Sequence, residues 1–296
     1  MNPEPIVERV WPGSSAEIEL LGGGITNHNF KVTVDGKVFV LRVGGQDTEL
    51  LGIDRYAEYS ASITAAKLGI GPEVVEFLEP EGYLVTAFIS GRPVPPEELR
   101  AAENLDRVAS LLSAVHAGKS FPATFDSFRV VETYADTARE RGTEVPAAYS
   151  EAKSLADSIE RARPASPACP CHNDLLNANF IDDGERLRLV DWEYAGMGDR
   201  FFDLANFSVN HELGPDDQRV LLGAYFGKER EQDVAALTLM RFMSDFREAM
   251  WGVVQQAIST LDFDFRAYAK QHFERLGRTA SEPRFQAALA AAKSHH

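Results

Sequence analysis

The chain has 296 residues, of which 44% are hydrophobic and 25% charged; it is about twice the length of one ordinary domain and too apolar for disorder. Its 45 acidic against 30 basic residues leave a net charge of −15, which argues against nucleic acid or an anionic membrane as partner and for a small, cationic one. Two cysteines, Cys169 and Cys171, exclude a disulfide framework, no apolar run reaches the ~18 residues of a membrane span, and segment 1–9 has no signal-peptide core, so a cytoplasmic protein is expected.

Elements follow in chain order. Residues 16–21 are a short strand running into Gly22-Gly23-Gly24. Residues 31–43 alternate around Asp35-Gly36, a favoured hairpin turn, with Val32 and Val34 on one side and Val38, Val40 and Leu41 on the other. Residues 54–68 read as a helix with Asp54 as N-cap and Gly69 as stop. Strands at 74–78 and 83–89 flank a turn, and Ser90-Gly91-Arg92-Pro93 reads as a hinge. Residues 96–116 are expected as one amphipathic helix, with Leu99, Leu105, Val108, Leu112 and Val115 on its apolar stripe. Mostly helical sequence at 130–159 precedes a connector at 163–170, and two short strands lie near 180–181 and 187–191. From Phe202 onward helices are expected, near 216–226, 232–259 and 282–293.

The strongest chemical signal is His172-Asn173-Asp174-Leu175-Leu176-Asn177-Ala178-Asn179, followed by Val190-Asp191-Trp192-Glu193. The intervening hairpin would fold Asp191 back beside Asn179. A carboxylate and an amide oxygen are the hard ligands that Mg²⁺ requires, with Asp174 left over as a base. Upstream, the glycines at 22–24 would let backbone N–H groups approach a phosphate, although a plain hairpin corner fits the same residues.

This H-x-D-x-x-x-x-N pattern, with its D-W-E strand, resembles the choline kinase and aminoglycoside phosphotransferase superfamily. The resemblance implies an α+β, protein-kinase-like fold. Residues 1–90 would be a small β-rich nucleotide-binding lobe with one helix, and 91–296 a larger, mainly helical lobe for catalysis and acceptor binding. It also implies a kinase that uses ATP and Mg²⁺. Asp174, Asn179 and Asp191 would be catalytic: Asp174 orients and deprotonates the acceptor hydroxyl, while Asn179 and Asp191 hold the metal. Gly23, Gly24, Thr26 and Asn27 would form the phosphate loop. Arg42 would take the place of the nucleotide-positioning lysine of protein kinases, with Glu58, rather than Glu49, as its acidic partner. Residues 86–89 would line the adenine through backbone groups. His172 and Asp203 would brace the catalytic loop.

For the acceptor, residues 191–264 combine 14 acidic and 6 basic residues with many aromatics, a composition that attracts cations. On the long helix, Phe242, Phe246, Met250 and Val253 make the core stripe, and Trp251 points off it, toward a pocket or an interface. Met250-Trp251-Gly252 resembles the choline kinase helix that carries the choline-cage tryptophan. Choline or a related amino alcohol is therefore the expected acceptor, contacted by Trp251, Glu193 and Glu212, with Asp245 and Glu248 as further carboxylates. Asn210 stands where choline kinases tend to place glutamate, so thiamine, an aminoglycoside or another alcohol stays open. So does a catalytically inactive, kinase-shaped binding protein. Two motifs are set aside. Residues 118–120 imitate the end of a P-loop without its earlier glycine. Cys169-Pro170-Cys171-His172 offers three soft ligands within four residues but no second cluster to complete a tetrahedral zinc site.

Overall fold

The computed structural model describes residues 2–22, 27–45, 47–163 and 166–293. After a short helix α1 (Glu4–Val10) come β1 (Ala16–Leu21), β2 (Asn27–Val34) and β3 (Lys37–Gly44), then α2 (Arg55–Lys67), β4 (Val74–Leu78) and β5 (Tyr83–Ala87). The five strands form one antiparallel sheet in the order β1-β2-β3-β5-β4. Asp35 and Gly36 join β2 to β3 with φ of 50° and 75°, the left-handed pair that a two-residue hairpin turn requires. Asp54 caps α2 by accepting from the N–H groups of Tyr56 and Ala57.

The register corrects one expectation. Val32 pairs with Phe39, and Phe30 with Leu41, so Leu41 and Val43 join Val32 and Val34 on the buried face. Val40 lies on the opposite face with Arg42, because successive strand residues point to opposite sides. The first face closes a small core with Val7 of α1 and Val85; the second lines a cleft.

The chain continues through β6 (Arg92–Pro93), α3 (Pro96–Leu99), α4 (Ala102–His116), α5 (Ser127–Glu140) and α6 (Ala148–Ala162). The single helix expected at 96–116 is thus two, because Ala101 is extended, at φ −63° and ψ 139°. The apolar stripe from Leu99 to Val115 is nonetheless buried throughout. Next come β7 (Cys169–Cys171), β8 (Phe180–Asp182), β9 (Leu187–Leu189) and β10 (Gly196–Gly198), followed by α7 (Arg200–Asn210), α8 (Pro215–Phe226), α9 (Glu231–Ile258), α10 (Phe265–Ser281) and α11 (Pro283–Lys293). β7 pairs with β10, and β8 pairs with both β6 and β9.

α9 is the axis of this helical part. It packs against α5, α7, α10 and α11, and nearly every side chain from Leu237 to Gln255 is buried. A stripe analysis assumes a solvent face, and here there is none: the side off the stripe is covered by α10, a helix that the sequence reading did not place. Gly252 permits that approach, since a Cβ there would lie 3.0 Å from the backbone nitrogen of Ala269. Among the described residues, no helix is long and apolar enough to cross a membrane.

Candidate active site

The 172–179 loop runs from β7 to β8 and is pinned from beneath by α7. Asp203 is fully buried and accepts from the backbone N–H groups of His172 (2.8 Å) and Asn173 (2.7 Å) and from His116 Nε2 (3.1 Å). Burial alone would raise its carboxyl, but these donors, His116 first, hold it below the usual carboxylate range. Asn206, one turn along α7, accepts from Leu175 N–H at 2.6 Å. The His172 ring accepts from Asp174 N–H at Nδ1 (3.2 Å) and reaches Val190 O with Nε2 (3.0 Å), which ties the loop to the strand leading into Asp191. Burial pushes this imidazole below its ordinary value, so it sits there neutral. His172 and Asp203 thus both hydrogen-bond the backbone of this segment.

Asn179 donates from Nδ2 to Asp174 O at 2.9 Å, a bond that uses the amide nitrogen and not the oxygen. Val190 N–H bonds Asn179 O at 3.0 Å, so the hairpin brings the Asn179 and Asp191 segments side by side. Asn173 and Asp191 both adopt left-handed φ, 66° and 68°, a conformation that Asn and Asp tolerate best among non-glycine residues. Asn179 and Asp191 line a cleft cavity of about 380 Å³ together with Arg42, Val40 and residues 86–89. One oxygen of Asp191, Oδ1, is buried without a hydrogen bond of good geometry, although it lies 2.8 Å from Arg42 Nη1. A carboxylate and an amide lining one cavity are the kind of oxygen donors that a hard divalent cation takes.

Across the cleft, Arg42 pairs with Glu58 of α2 at 2.5 Å, whereas Glu49 is exposed. Arg55, absent from the sequence reading, extends this pair into a network. It reaches Glu58 Oε2 (2.7 Å), Asn27 Oδ1 (3.0 Å), Thr48 Oγ1 (3.1 Å) and Glu193 Oε2 (3.4 Å). Its spacing of three residues before Glu58 on one helix was the available signal. Asn27 donates to Glu193 at 2.8 Å, so it is engaged with neighbouring side chains at the root of the glycine-rich turn. Gly23, Gly24 and Thr26 lie outside the described residues.

Two acceptor assignments are corrected. Glu193 is engaged by the Asn27–Arg55 network; burial and the neighbouring Asp191 push its carboxyl up to about 8. Glu212 follows the end of α7 with φ 53° and is exposed, with Arg100 at 3.5 Å. Helix α7 ends at Asn210, and Asn210 turns back to the catalytic loop through Leu175 O and Asn206 Oδ1. Asp245 is also occupied, by His272 and Arg275.

Glu248 remains. Asp174, Arg247, Glu248, Tyr194, Trp251 and Tyr268 form one connected group. Trp251 Nε1 donates to Tyr194 OH at 2.9 Å, and Tyr268 OH donates to Glu248 Oε2 at 2.7 Å. Trp251 meets the Phe265 and Tyr268 rings edge-on. Arg247, buried on α9, donates to Asn173 O and lies 3.5 Å from Asp174 Oδ1, 3.1 Å from Glu248 Oε1 and 5.1 Å above the Tyr194 ring. Burial pushes Asp174 up to about 7; Arg247 opposes the shift, and Glu248 and Asp191 add to it. The charged residues Asp245, Arg247 and Glu248 among the apolar residues of this helix were the signal for Arg247, because a buried charge needs partners.

Comparison with known proteins follows this geometry. The family model for choline/ethanolamine kinase matches residues 18–216. Ethanolamine kinase 2 of Rattus norvegicus is 26% identical over 296 aligned residues, covering 89% of this chain and 76% of its own length. Protein LicA of Haemophilus influenzae is 26% identical over 69% of this chain, and the match spans 61% of LicA, less than two thirds of that relative. The crystal structure of a choline/ethanolamine kinase family protein from Mesorhizobium loti superposes with a TM-score of 0.83 at 30% identity, covering 98% of both chains.

Proposed function

This chain belongs to the choline/ethanolamine kinase family, and on that premise we propose that it transfers the γ-phosphoryl group of ATP to the hydroxyl of a small amino alcohol. The observation that carries the reading is the arrangement at the cleft: Asn179 and Asp191 line the cavity that Arg42 and residues 86–89 complete, and Asn179 is bonded to the backbone of Asp174. Residues 1–90 would supply the nucleotide contacts and 91–296 the catalytic and acceptor contacts. Asn179 and Asp191 would hold Mg²⁺, which when bound offsets phosphate charge. Asp174 orients the acceptor hydroxyl and takes its proton. Arg42, held by Glu58, positions the nucleotide.

A specific observation favours a primary over a quaternary ammonium. The face of Tyr194 already carries the Arg247 guanidinium, and Glu248 Oε1, 3.1 Å from that guanidinium, lacks a hydrogen bond of good geometry. An ethanolamine-type ammonium brings N–H donors for such an oxygen, whereas trimethylammonium brings none. An ADP-release assay over choline, ethanolamine, thiamine and aminoglycosides tests both levels. Turnover with an amino alcohol supports the reading. Turnover of thiamine or an aminoglycoside alone would replace the acceptor, and no turnover of any would overturn the function.

Two outcomes belong to this reading. Arg42→Ala is expected to raise KM for ATP while leaving KM for the acceptor unchanged, and Arg42→Lys to restore part of the loss as a point charge without the guanidinium fork. Trp251→Ala is expected to weaken acceptor binding by about 1–2 kcal/mol, or ~5- to 30-fold. Trp251→Phe should recover the ring contact without the Nε1 bond to Tyr194. Steady-state kinetics in both substrates checks each.

A further inference from the structure

Beneath the catalytic loop lies a second group of chemistry-bearing side chains that phosphoryl transfer does not use. Cys169 and Cys171 are both free thiols and both buried. Standing two apart on β7, they point to the same face, with their sulfurs 3.8 Å apart. In sequence the motif lacks a second ligand cluster to complete a tetrahedral site. In the structure the His172 ring faces Val190 and Asp174 instead, and His116, from the last turn of α4, takes the vacant role: one nitrogen of His116 and the two sulfurs all lie within 4.8 Å of one another.

We propose that Cys169, Cys171 and His116 form a binding site for a thiophilic divalent metal such as zinc, built from residues other than the Asn179–Asp191 pair. Three features support this. First, the sulfur separation is already that of two thiolates on one tetrahedral zinc, about 3.8 Å for Zn–S bonds of ~2.3 Å. Second, His116 Nε2 faces the Asp203 carboxylate at 3.1 Å. A carboxylate there accepts the Nε2 proton and leaves the Nδ1 lone pair available, the outer support usual for a metal-bound histidine. Nδ1 now faces Tyr225 OH at 2.7 Å, a bond the metal would replace, with the phenol or a water in the fourth position. Third, two thiolates and a neutral imidazole cancel the charge of the dication, which suits a buried site; the two thiol protons leave to solvent. Ala168, next to Cys169 in the chain, and Gly198, its partner across the strand pair, form part of the wall of a surface cavity of about 520 Å³.

The site would be coupled to the catalytic loop, because the carboxylate that supports His116 also holds the N–H groups of His172 and Asn173. The test uses the full chain, stripped of metal under reducing conditions. Cobalt(II) is expected to give thiolate-to-metal charge-transfer absorption in the wild type. Zinc titration against a chromogenic chelator should give one tight equivalent and a higher Tm, since the metal binds the folded state. Cys169→Ser and Cys171→Ser should each weaken binding by ~100-fold or more, beyond the 10- to 100-fold of an outer-support change. Absence of the thiolate band in the wild type would overturn the proposal without reference to any variant. So would a zinc equivalent that survives in the double variant, which keeps His295 and His296.

Discussion

Asp174→Ala and Asp191→Ala are each expected to leave a folded protein whose turnover falls ~10³-fold or more, because each removes a group needed in phosphoryl transfer. Folding should survive for local reasons. Asp174 is a carboxyl held up to about 7 by burial, so its loss relieves a desolvation cost. Removing Asp191 leaves Arg42 still paired with Glu58. Metal response separates the two: loss of Asp191 should raise the Mg²⁺ concentration needed for half-maximal rate, and loss of Asp174 should leave it unchanged. Circular dichroism and single-turnover kinetics across a Mg²⁺ series would check this; near-normal turnover in both variants would refute the site.

The second large effect is expected at Arg247. Its side chain is 2% exposed and joins the Asn173 carbonyl, Asp174 and Glu248. Arg247→Met strands Glu248 in the interior, and breaking a buried ion pair costs about 3–5 kcal/mol of stability. The kinetic signature is more specific. In the proposed mechanism Asp174 acts as base only when ionised, so the rate in wild type should rise with pH through about 7. Without Arg247 that acid limb should move up by ~1–3 units, and Arg247→Lys should return it part of the way. A limb that stays in place in a folded variant would mean that Arg247 does not set the charge of Asp174. The same shift has a sign for stability. The folded state holds the Asp174 proton more tightly than its ordinary value of 3.8 implies, so this group's contribution falls as pH rises from about 4 through 7. Denaturation of Asp174→Asn across that range should lack this part of the decline.

Local patterns carried the Asp35-Gly36 hairpin, the capped α2, the strands around 74–87 and the loop from His172 to Asn179. Each depends on residues within a few positions of one another: a turn needing positive φ, a cap needing an oxygen two residues before an N–H, a polar loop between short strands. The same locality put the Asn179 and Asp191 segments side by side, whereas the Arg42–Glu58 pair was expected from the family resemblance and is found as an ion pair. The acceptor side was not readable in this way. Whether Glu193, Glu212, Asp245 or Glu248 faces Trp251 depends on where α7 ends and on how α10 covers α9, and neither is written in a local period. α9 is buried on all sides, so its hydrophobic stripe no longer marks inside from outside, and Arg247 and Glu248 sit in the interior by virtue of pairing. The cysteine motif turned on the same point: His172 is adjacent in the chain, but His116, 53 positions before Cys169, is adjacent in space. Backbone preference and burial period act over one or two turns, whereas the partner of a buried charge or thiol is chosen by packing between elements distant in the chain.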